Sequence, residues 1–554
     1  MTVQQKYELW LKRATDTTIL SQLKAMETDE TAKTNAFYKD LEFGTAGLRG
    51  EIGAGSNCLN IYTIRKATQG VADYMKNYGM KTAAVSCDCR INSDLFLKTV
   101  AEVFSANGIT VYMSKELMPT PFLSYMTRYH KADIGVMITA SHNPAKYNGY
   151  KVYGADGCQL TDSASMEVTG YFAVVDGFDV CTENLDTYIA KGIAKYIDDQ
   201  VIEDYLTEVK KQSVGDAEGV SVTYTALNGT GYKLVPEILK RVGVTDISYV
   251  DEQCYPDGRF LTCSYPNPEK ADALKLGIEK AKSVKSDIVI GTDPDADRIG
   301  TAVYHDGEYK LVSGNEMGVL LADFICKKKQ ENGNLPEVPV LVKTIVTTNL
   351  LNKIASEYNA EVYNVLTGFK YIGDVIAKLE KKNEESRYVL GFEESYGYLS
   401  GTYVRDKDAV VTSMLVAEMT AYYKKQGKTL IDRINEIYAK YGLYSHKTIS
   451  FEFAGAEGSV TMKRLLTKIR NHKPTAFAGN KVVDFIDYLT QEKFDLPKSN
   501  VLSFLMEDGS QVIIRPSGTE PLIKMYITAC KTKEENDKQI AQIIDELHVL
   551  FEKK

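Results

Sequence analysis

No run in this 554-residue chain approaches the ~20 apolar residues that a membrane span needs. The opening stretch, Met-Thr-Val-Gln-Gln-Lys-Tyr-Glu-Leu-Trp, holds no apolar signal core. Long blocks of like charge are also missing; Lys327-Lys328-Lys329 and Lys381-Lys382 read as solvated helix ends. With a net charge of −8, the balance argues against a nucleic-acid scaffold and leaves room only for a local positive cleft. Cysteine is scarce: nine, scattered and odd in number, which argues against a disulfide framework. Cys87-Asp88-Cys89 sets two thiols on one strand face, but no second Cys or His pair accompanies it, so the pair reads as structural. These absences predict a soluble, cytoplasmic protein. The remainder is ordinary globular composition, 44% apolar and 25% charged, enough for several separate cores in three to five domains.

Residues 5–40 carry apolar positions at helical spacing and predict one or two amphipathic helices. Leu41-Glu-Phe-Gly-Thr-Ala-Gly-Leu-Arg-Gly50 then sets three glycines around Arg49, either a Gly-rich surface turn or a loop that lets the backbone and a fork donor approach phosphate. From residue 64 helix-like and strand-like stretches alternate, the pattern of a parallel sheet covered on both faces. One strand of that sheet ends at Asp88-Cys89-Arg90. Another, the apolar run Asp133–Ala140, leads into Thr139-Ala-Ser-His-Asn-Pro144, and open α/β sheets place their ligands at such carboxyl ends. Ser141 offers a hydroxyl beside the imidazole of His142, with Lys151 ten residues on. The trio is either a solvated turn or a candidate nucleophile with proton-handling partners.

The alternation restarts near residue 200, and the strand Asp287–Thr292 runs into Asp293-Pro-Asp-Ala-Asp-Arg298. Three alternate carboxylates make an oxygen cage for a hard divalent cation, and so few ligands leave coordination sites open, as Mg²⁺ held partly by substrate requires. The spacing lacks the sixth-position Gly and twelfth-position Glu of an EF-hand. A third round, about 313–430, ends its strands in Thr347-Thr-Asn349, Leu366-Thr-Gly-Phe-Lys370 and Glu393-Glu-Ser-Tyr-Gly397. Glu393 and Ser395 are an acceptor and a donor suited to polyol hydroxyls. Asp406-Lys407-Asp408 opens a long apolar helix whose N-terminus the carboxylates suit. Residues 427–445 read as a short linker. The last ~110 residues are α+β in character. A hairpin turning at Asp508-Gly509 runs into Arg515-Pro-Ser-Gly-Thr-Glu-Pro521, either a Pro/Gly-punctuated turn or a phosphate cradle.

Four motifs in this order, one per unit, identify a resemblance that covers almost the whole chain: Thr-Ala-Ser-His-Asn-Pro, Asp-Pro-Asp-Ala-Asp-Arg, Gly391-Phe-Glu-Glu-Ser-Tyr-Gly397 and Arg515-Pro-Ser-Gly-Thr-Glu-Pro521. The chain resembles the α-D-phosphohexomutase superfamily and, within it, the phosphoglucomutase branch. The resemblance implies three consecutive mixed or parallel α/β domains sharing one topology (1–198, 199–312 and 313–435) plus a C-terminal α+β domain (436–554), arranged around a central cleft. It also implies a phosphorylated Ser141 with Mg²⁺ held by Asp293, Asp295, Asp297 and Ser141 itself. The serine would pass its phosphoryl group to glucose 1-phosphate. The glucose 1,6-bisphosphate formed would turn around and return its other phosphate, releasing glucose 6-phosphate; the bisphosphate would thus be both intermediate and activator. Arg49 and Lys151 would handle the acceptor hydroxyl's proton, with His142 in support. Arg298, Lys343, Thr367, Gly368 and Lys370 would line the substrate site, Glu393 and Ser395 would hold sugar hydroxyls, and Arg515, Ser517, Gly518 and Thr519 would clamp the non-transferring phosphate. Partners are expected to be small sugar phosphates, with no nucleic acid and no membrane, for a monomer or homodimer.

The Glu-Glu-Ser sugar loop favours glucose over the glucosamine and mannose branches, although phosphopentomutases and glucose 1,6-bisphosphate synthases share it. Asn228 in Leu227-Asn-Gly-Thr-Gly231 departs from the His frequent in relatives and reads as structural. Phosphomannomutase or phosphopentomutase activity by the same mechanism, and a sugar-phosphate-binding pseudoenzyme, are the alternatives. The intact nucleophile, aspartates and cationic clamps speak against the last. Neither a P-loop nor a kinase glycine loop is present to support a kinase.

Overall fold

The chain is described from a computed structural model over residues 1–44, 47–453, 455–517 and 522–552. Three helices, Val3–Arg13, Thr17–Ala25 and Glu30–Phe37, lead in where one or two were expected, each started by a side-chain N-cap from Thr2, Asp16 or Asp29. Their apolar faces close on Trp10, Phe37 and Tyr62.

The first unit is a six-stranded sheet. Its spatial order is Leu48–Glu51, Tyr147–Gly154, Ile134–Ile138, Thr82–Cys87, Thr110–Met113 and Ala194–Tyr196. The last four strands run parallel, while Tyr147–Gly154 returns antiparallel between Ile134–Ile138 and Leu48–Glu51. Ile134–Ile138 is buried at every position because helices cover both faces, so it shows no alternation. Gly149 is required where these strands crowd: a Cβ there would stand 2.4 Å from the carbonyl oxygen of Thr139.

The second and third units repeat this plan. A buried strand (Ile288–Thr292; Tyr388–Glu393) runs parallel to its neighbour on one side, ends in a polar loop, and pairs on the other side with an antiparallel return strand (Ile299–His305; Gly397–Leu399). The three motif loops therefore occupy the same turn of three related sheets. The return strands were not expected from the sequence, nor was Glu308–Val312, although Asp306-Gly307, both with positive φ, is the signature of a two-residue hairpin turn.

Asp408 caps the helix Ala409–Lys424 by accepting from the backbone N–H of Val410 and Val411, as its place in the sequence predicts. The stretch expected to be a linker contains the helix Leu430–Tyr441, started by a Thr429/Asp432 capping box, and its Leu430, Ile434 and Ile437 are buried. The expected boundary at 435/436 falls inside this helix. One apolar core runs from Met118 and Phe122 of the first unit through the second and third to Ile437. The last unit has its own core beneath a six-stranded sheet, antiparallel throughout. It meets the third unit through a small apolar patch, Ile345, Val346 and Leu366 against Tyr488, Ile513 and Tyr526. The hairpin at Asp508-Gly509 is present; Ala476–Phe477 and Asn480–Asp487 were not expected as strands. No helix among the described residues is long and apolar enough to cross a membrane.

Candidate active site

Ser141 sits directly after its buried strand with φ +52°, a left-handed conformation that a non-glycine residue adopts only when its surroundings hold it there. Its N–H donates to Thr139 Oγ1 (2.8 Å). Its Oγ donates to Asp293 Oδ2 (3.0 Å) and lies 3.2 Å from His142 Nδ1. The first-unit loop is thereby joined to the second-unit loop through the serine hydroxyl.

Asp293, Asp295 and Asp297 are fully buried, and one oxygen from each lies within 4.8 Å of the others. Asp293 Oδ1 accepts the backbone N–H of Asp297 and Arg298. Asp295 Oδ2 accepts Lys151 Nζ (2.9 Å) and Thr120 Oγ1 (2.8 Å). Asp297 Oδ2 pairs with Lys407 Nζ (3.0 Å), with Lys151 at 3.7 Å. The remaining Oδ1 atoms of Asp295 and Asp297 are buried and accept no hydrogen bond. Buried carboxylate oxygens left unpaired are costly, and two of them beside the third carboxylate, that of Asp293, suit the open ligand set of a hard divalent cation. Burial and mutual repulsion push Asp293 well above the usual carboxylate range and raise Asp297. Burial also acts to raise Asp295, but Lys151 and Thr120 hold it below that range. Despite its own burial, Lys151 is held charged by Asp295 and Asp297. His142 is pushed well below its usual range by burial and by Arg298 and Arg49, so its imidazole is neutral.

Asn228 donates to the carbonyls of Glu252 and Tyr255; beside it, Thr230 supports the Asp loop by donating twice to Pro294 O.

The other expected residues are placed less uniformly. Arg49 Nη1 reaches Asn143 Oδ1 of the serine loop at 3.3 Å. Arg298 pairs with Glu269 (2.5 Å) and approaches Asp297 (3.8 Å). Glu393 accepts the N–H of Gly368 (2.9 Å), which ties the Thr367-Gly368 loop to the sugar loop, and Thr367 Oγ1 is buried with no hydrogen-bond partner. Ser395 is half-buried beside them. Lys370 is engaged by Asp162 of the first unit at 2.5 Å. Lys343 is buried and donates to Thr347 O, Asn349 Oδ1 and Asn364 Oδ1. Neither lysine touches the triad. Arg515 and Ser517 lie at the end of the strand Gln511–Pro516 in the last unit, while Gly518 and Thr519 fall outside the described residues.

Family models match all four units: phosphoglucomutase/phosphomannomutase α/β/α domain I over residues 40–176, domain II over 203–307, domain III over 313–441 and the C-terminal domain over 463–546. The chain belongs to the phosphoglucomutase/phosphomannomutase family. Within it the chain is 34% identical over 549 residues to a phosphoglucomutase of Staphylococcus haemolyticus, covering 97% of this chain and 98% of that one. To a phosphoglucomutase of Staphylococcus aureus it is 35% identical over 538 residues, covering 94% and 95%. Among solved structures, parafusin, a phosphoglucomutase from Paramecium in its open form, shares the fold with a TM-score of 0.71 at 18% identity, covering 93% of this chain and 96% of that one. A family protein from Burkholderia thailandensis does so with 0.68 at 17%, covering 92% and 97%.

Two residues that touch the carboxylate triad are not marked by the sequence reading. Lys407 was placed in a capping tripeptide. It instead bridges Asp297 and Asp406 (2.8 Å), and Asp406 in turn accepts from Tyr153. A lysine between two carboxylates at a helix start was the available signal. Thr120 opens the helix Thr120–Tyr129, and nothing local marks it as a partner of a residue 175 positions away.

Proposed function

We propose that the chain is a phosphoglucomutase, interconverting glucose 1-phosphate and glucose 6-phosphate through a phosphorylated Ser141 and glucose 1,6-bisphosphate. The observation that carries this reading is the serine hydroxyl set 3.0 Å from a buried carboxylate triad with unpaired oxygens, in a chain whose full-length relatives are named phosphoglucomutases. Asp293, Asp295 and Asp297, with the phosphoserine, would hold Mg²⁺, which when bound neutralises charge on the transferring phosphoryl group.

The chain's own residues do the rest. Lys151 and Lys407 keep the carboxylates compensated and present positive charge to the same place. Arg49 and Lys151 serve the acceptor hydroxyl; Lys151, held charged, does so as a donor. Neutral His142 shares a hydrogen bond with Ser141 Oγ and adds no charge there. Glu393, oriented by the Gly368 N–H, accepts from sugar hydroxyls with Ser395 beside it. Arg515, Ser517, Gly518 and Thr519 would hold the second phosphate. The small apolar contact between the last unit and the rest suits a clamp that takes one substrate in two orientations. The protein works in the cytoplasm on small sugar phosphates.

The test is turnover with Mg²⁺ and a trace of glucose 1,6-bisphosphate on glucose 1-phosphate, mannose 1-phosphate and ribose 1-phosphate side by side. Fastest turnover of glucose 1-phosphate is expected. Faster turnover of the pentose would replace the substrate and keep the mechanism, and no turnover of any would leave a sugar-phosphate binder.

A further inference from the structure

Asp88-Cys89-Arg90, at the end of the strand Thr82–Cys87, has no part in the chemistry above, yet its arginine is built into the serine loop. The Arg90 side chain is completely buried. Its Nη1 donates to Pro144 O (3.1 Å) and Tyr147 O (2.9 Å), and its Nη2 to Asn143 O (2.6 Å) and Ser141 O. Four carbonyls of the loop Ser141–Tyr147 thus converge on one guanidinium, and one of them belongs to Ser141, whose φ is +52°. Within the loop itself the backbone makes few bonds, Asn143 N to Ala140 O and Tyr147 N to Pro144 O. The arginine is in turn fixed on its other sides. Asp88, fully buried, accepts the Arg90 N–H (2.9 Å) and the Ser93 hydroxyl (3.0 Å), with its second oxygen 3.4 Å from Nε. The ring of Phe260, from the second unit, covers the guanidinium at 5.2 Å, and Gly258 bridges to Arg90 through the backbone.

We infer that Arg90 is a positioning residue for the nucleophile: it holds Ser141 in its left-handed conformation and, through Phe260, ties that conformation to the unit that carries the aspartates. The inference rests on the mutase reading of Ser141. A guanidinium suits the task because its planar fork serves several carbonyls at once, whereas lysine brings three donors to four acceptors and leaves at least one buried carbonyl unpaired. Released from Arg90, Ser141 relaxes toward ordinary φ, and its Oγ leaves the line between His142 and Asp293. A displacement of about 1 Å at a reacting atom costs about 10²-fold in rate.

The experiment compares wild type, Arg90→Lys and Phe260→Leu. It measures kcat and KM for glucose 1-phosphate, uptake of phosphate onto Ser141 from glucose 1,6-bisphosphate by intact mass, and thermal unfolding with and without Mg²⁺. For Arg90→Lys, kcat and phosphate uptake should fall by about 10²-fold while KM stays within about threefold and the Mg²⁺-induced rise in melting temperature is kept. For Phe260→Leu, which leaves the guanidinium's hydrogen bonds in place, kcat should fall by about tenfold with KM held. A kcat for Arg90→Lys close to wild type, or one lowered only in proportion to the folded fraction, would overturn the inference. If Arg90→Lys does not fold, Phe260→Leu decides, and an unchanged kcat there overturns it too. An inactive wild type would instead take down the mutase reading itself.

Discussion

Lys343 offers the sharpest test of the energetics. Its side chain is 1% exposed, and its three hydrogen-bond acceptors are a backbone carbonyl and two amide oxygens. No carboxylate forms an ion pair with it among the described residues. Burial therefore pulls its pKa down from 10.5 to about 7, with Glu394 opposing weakly from a distance. Between about pH 7 and 10 the unfolded chain then binds a proton that the folded chain does not, so the folded state gains stability as pH rises, by ~1.4 kcal/mol per pH unit. Lys343→Met removes this dependence. It also leaves three acceptors without their donor, a roughly constant cost. Glu394, whose pKa burial and Glu393 raise to about 7, acts mainly below that pH, and the useful window lies above it. Urea unfolding of wild type and Lys343→Met at pH 7.5 and 9.5 should show the difference between them shifting by about 2.7 kcal/mol in favour of wild type at the higher pH. Parallel stabilities across that window would mean that Lys343 keeps an ordinary pKa, and would refute the argument that burial without a carboxylate partner governs it.

Ser141→Ala should lose at least ~10³-fold in mutase turnover while keeping its melting temperature, since a transferring atom is removed and no core volume; stopped assays of product formation measure the loss. Asp295→Asn should abolish the stabilisation by Mg²⁺ seen in thermal unfolding, which for a metal at 100 times its dissociation constant is ~2.7 kcal/mol, and it strands the Lys151 ammonium as well. Asp408→Ala removes an N-cap that also accepts from the hydroxyls of Tyr205 (2.8 Å) and Tyr403 (2.6 Å). It should destabilise by about 2–4 kcal/mol, read as a lower melting temperature, with kcat of the folded fraction retained.

The strands that end in the three motif loops were legible because each is a short apolar run stopped by polar, Gly- or Pro-punctuated sequence, a signal that needs no knowledge of neighbours. The return strands were not. Ile299–His305 is buried at six of its seven positions and follows the Asp loop without a break, so it shows no period of its own. Residues 427–445 read as a linker because the stretch is short and unremarkable in composition, although Leu430, Ile434 and Ile437 recur at helical spacing and Thr429 and Asp432 carry a capping-box signal. At the site, Ser141 and the aspartates stand out through local density of chemistry. Lys407 and Thr120 do not, because their meaning arises from contacts between residues more than 100 positions apart. Arg90 was visible at a strand end, but only the folded loop shows what its donors meet.

The core running through the first three units bears on how such a chain can be recombined. Three sheets with a common plan invite the thought that each could be exchanged for its counterpart from a relative. The carboxylate triad forbids it: Asp295 relies on Thr120 and Lys151 from the first unit, and Asp297 on Lys407 from the third. A crossover near 199 or 312 would separate partners that have to match side chain for side chain. A crossover between Tyr441 and Ser445 would part, among the described residues, the small apolar patch around Ile345, Leu366 and Tyr526, the Asn349–Gln511 hydrogen bond and the packing of Leu496 on the shared core, and none of the triad's partners. The fourth unit is thus the piece whose exchange leaves the triad and its partners intact.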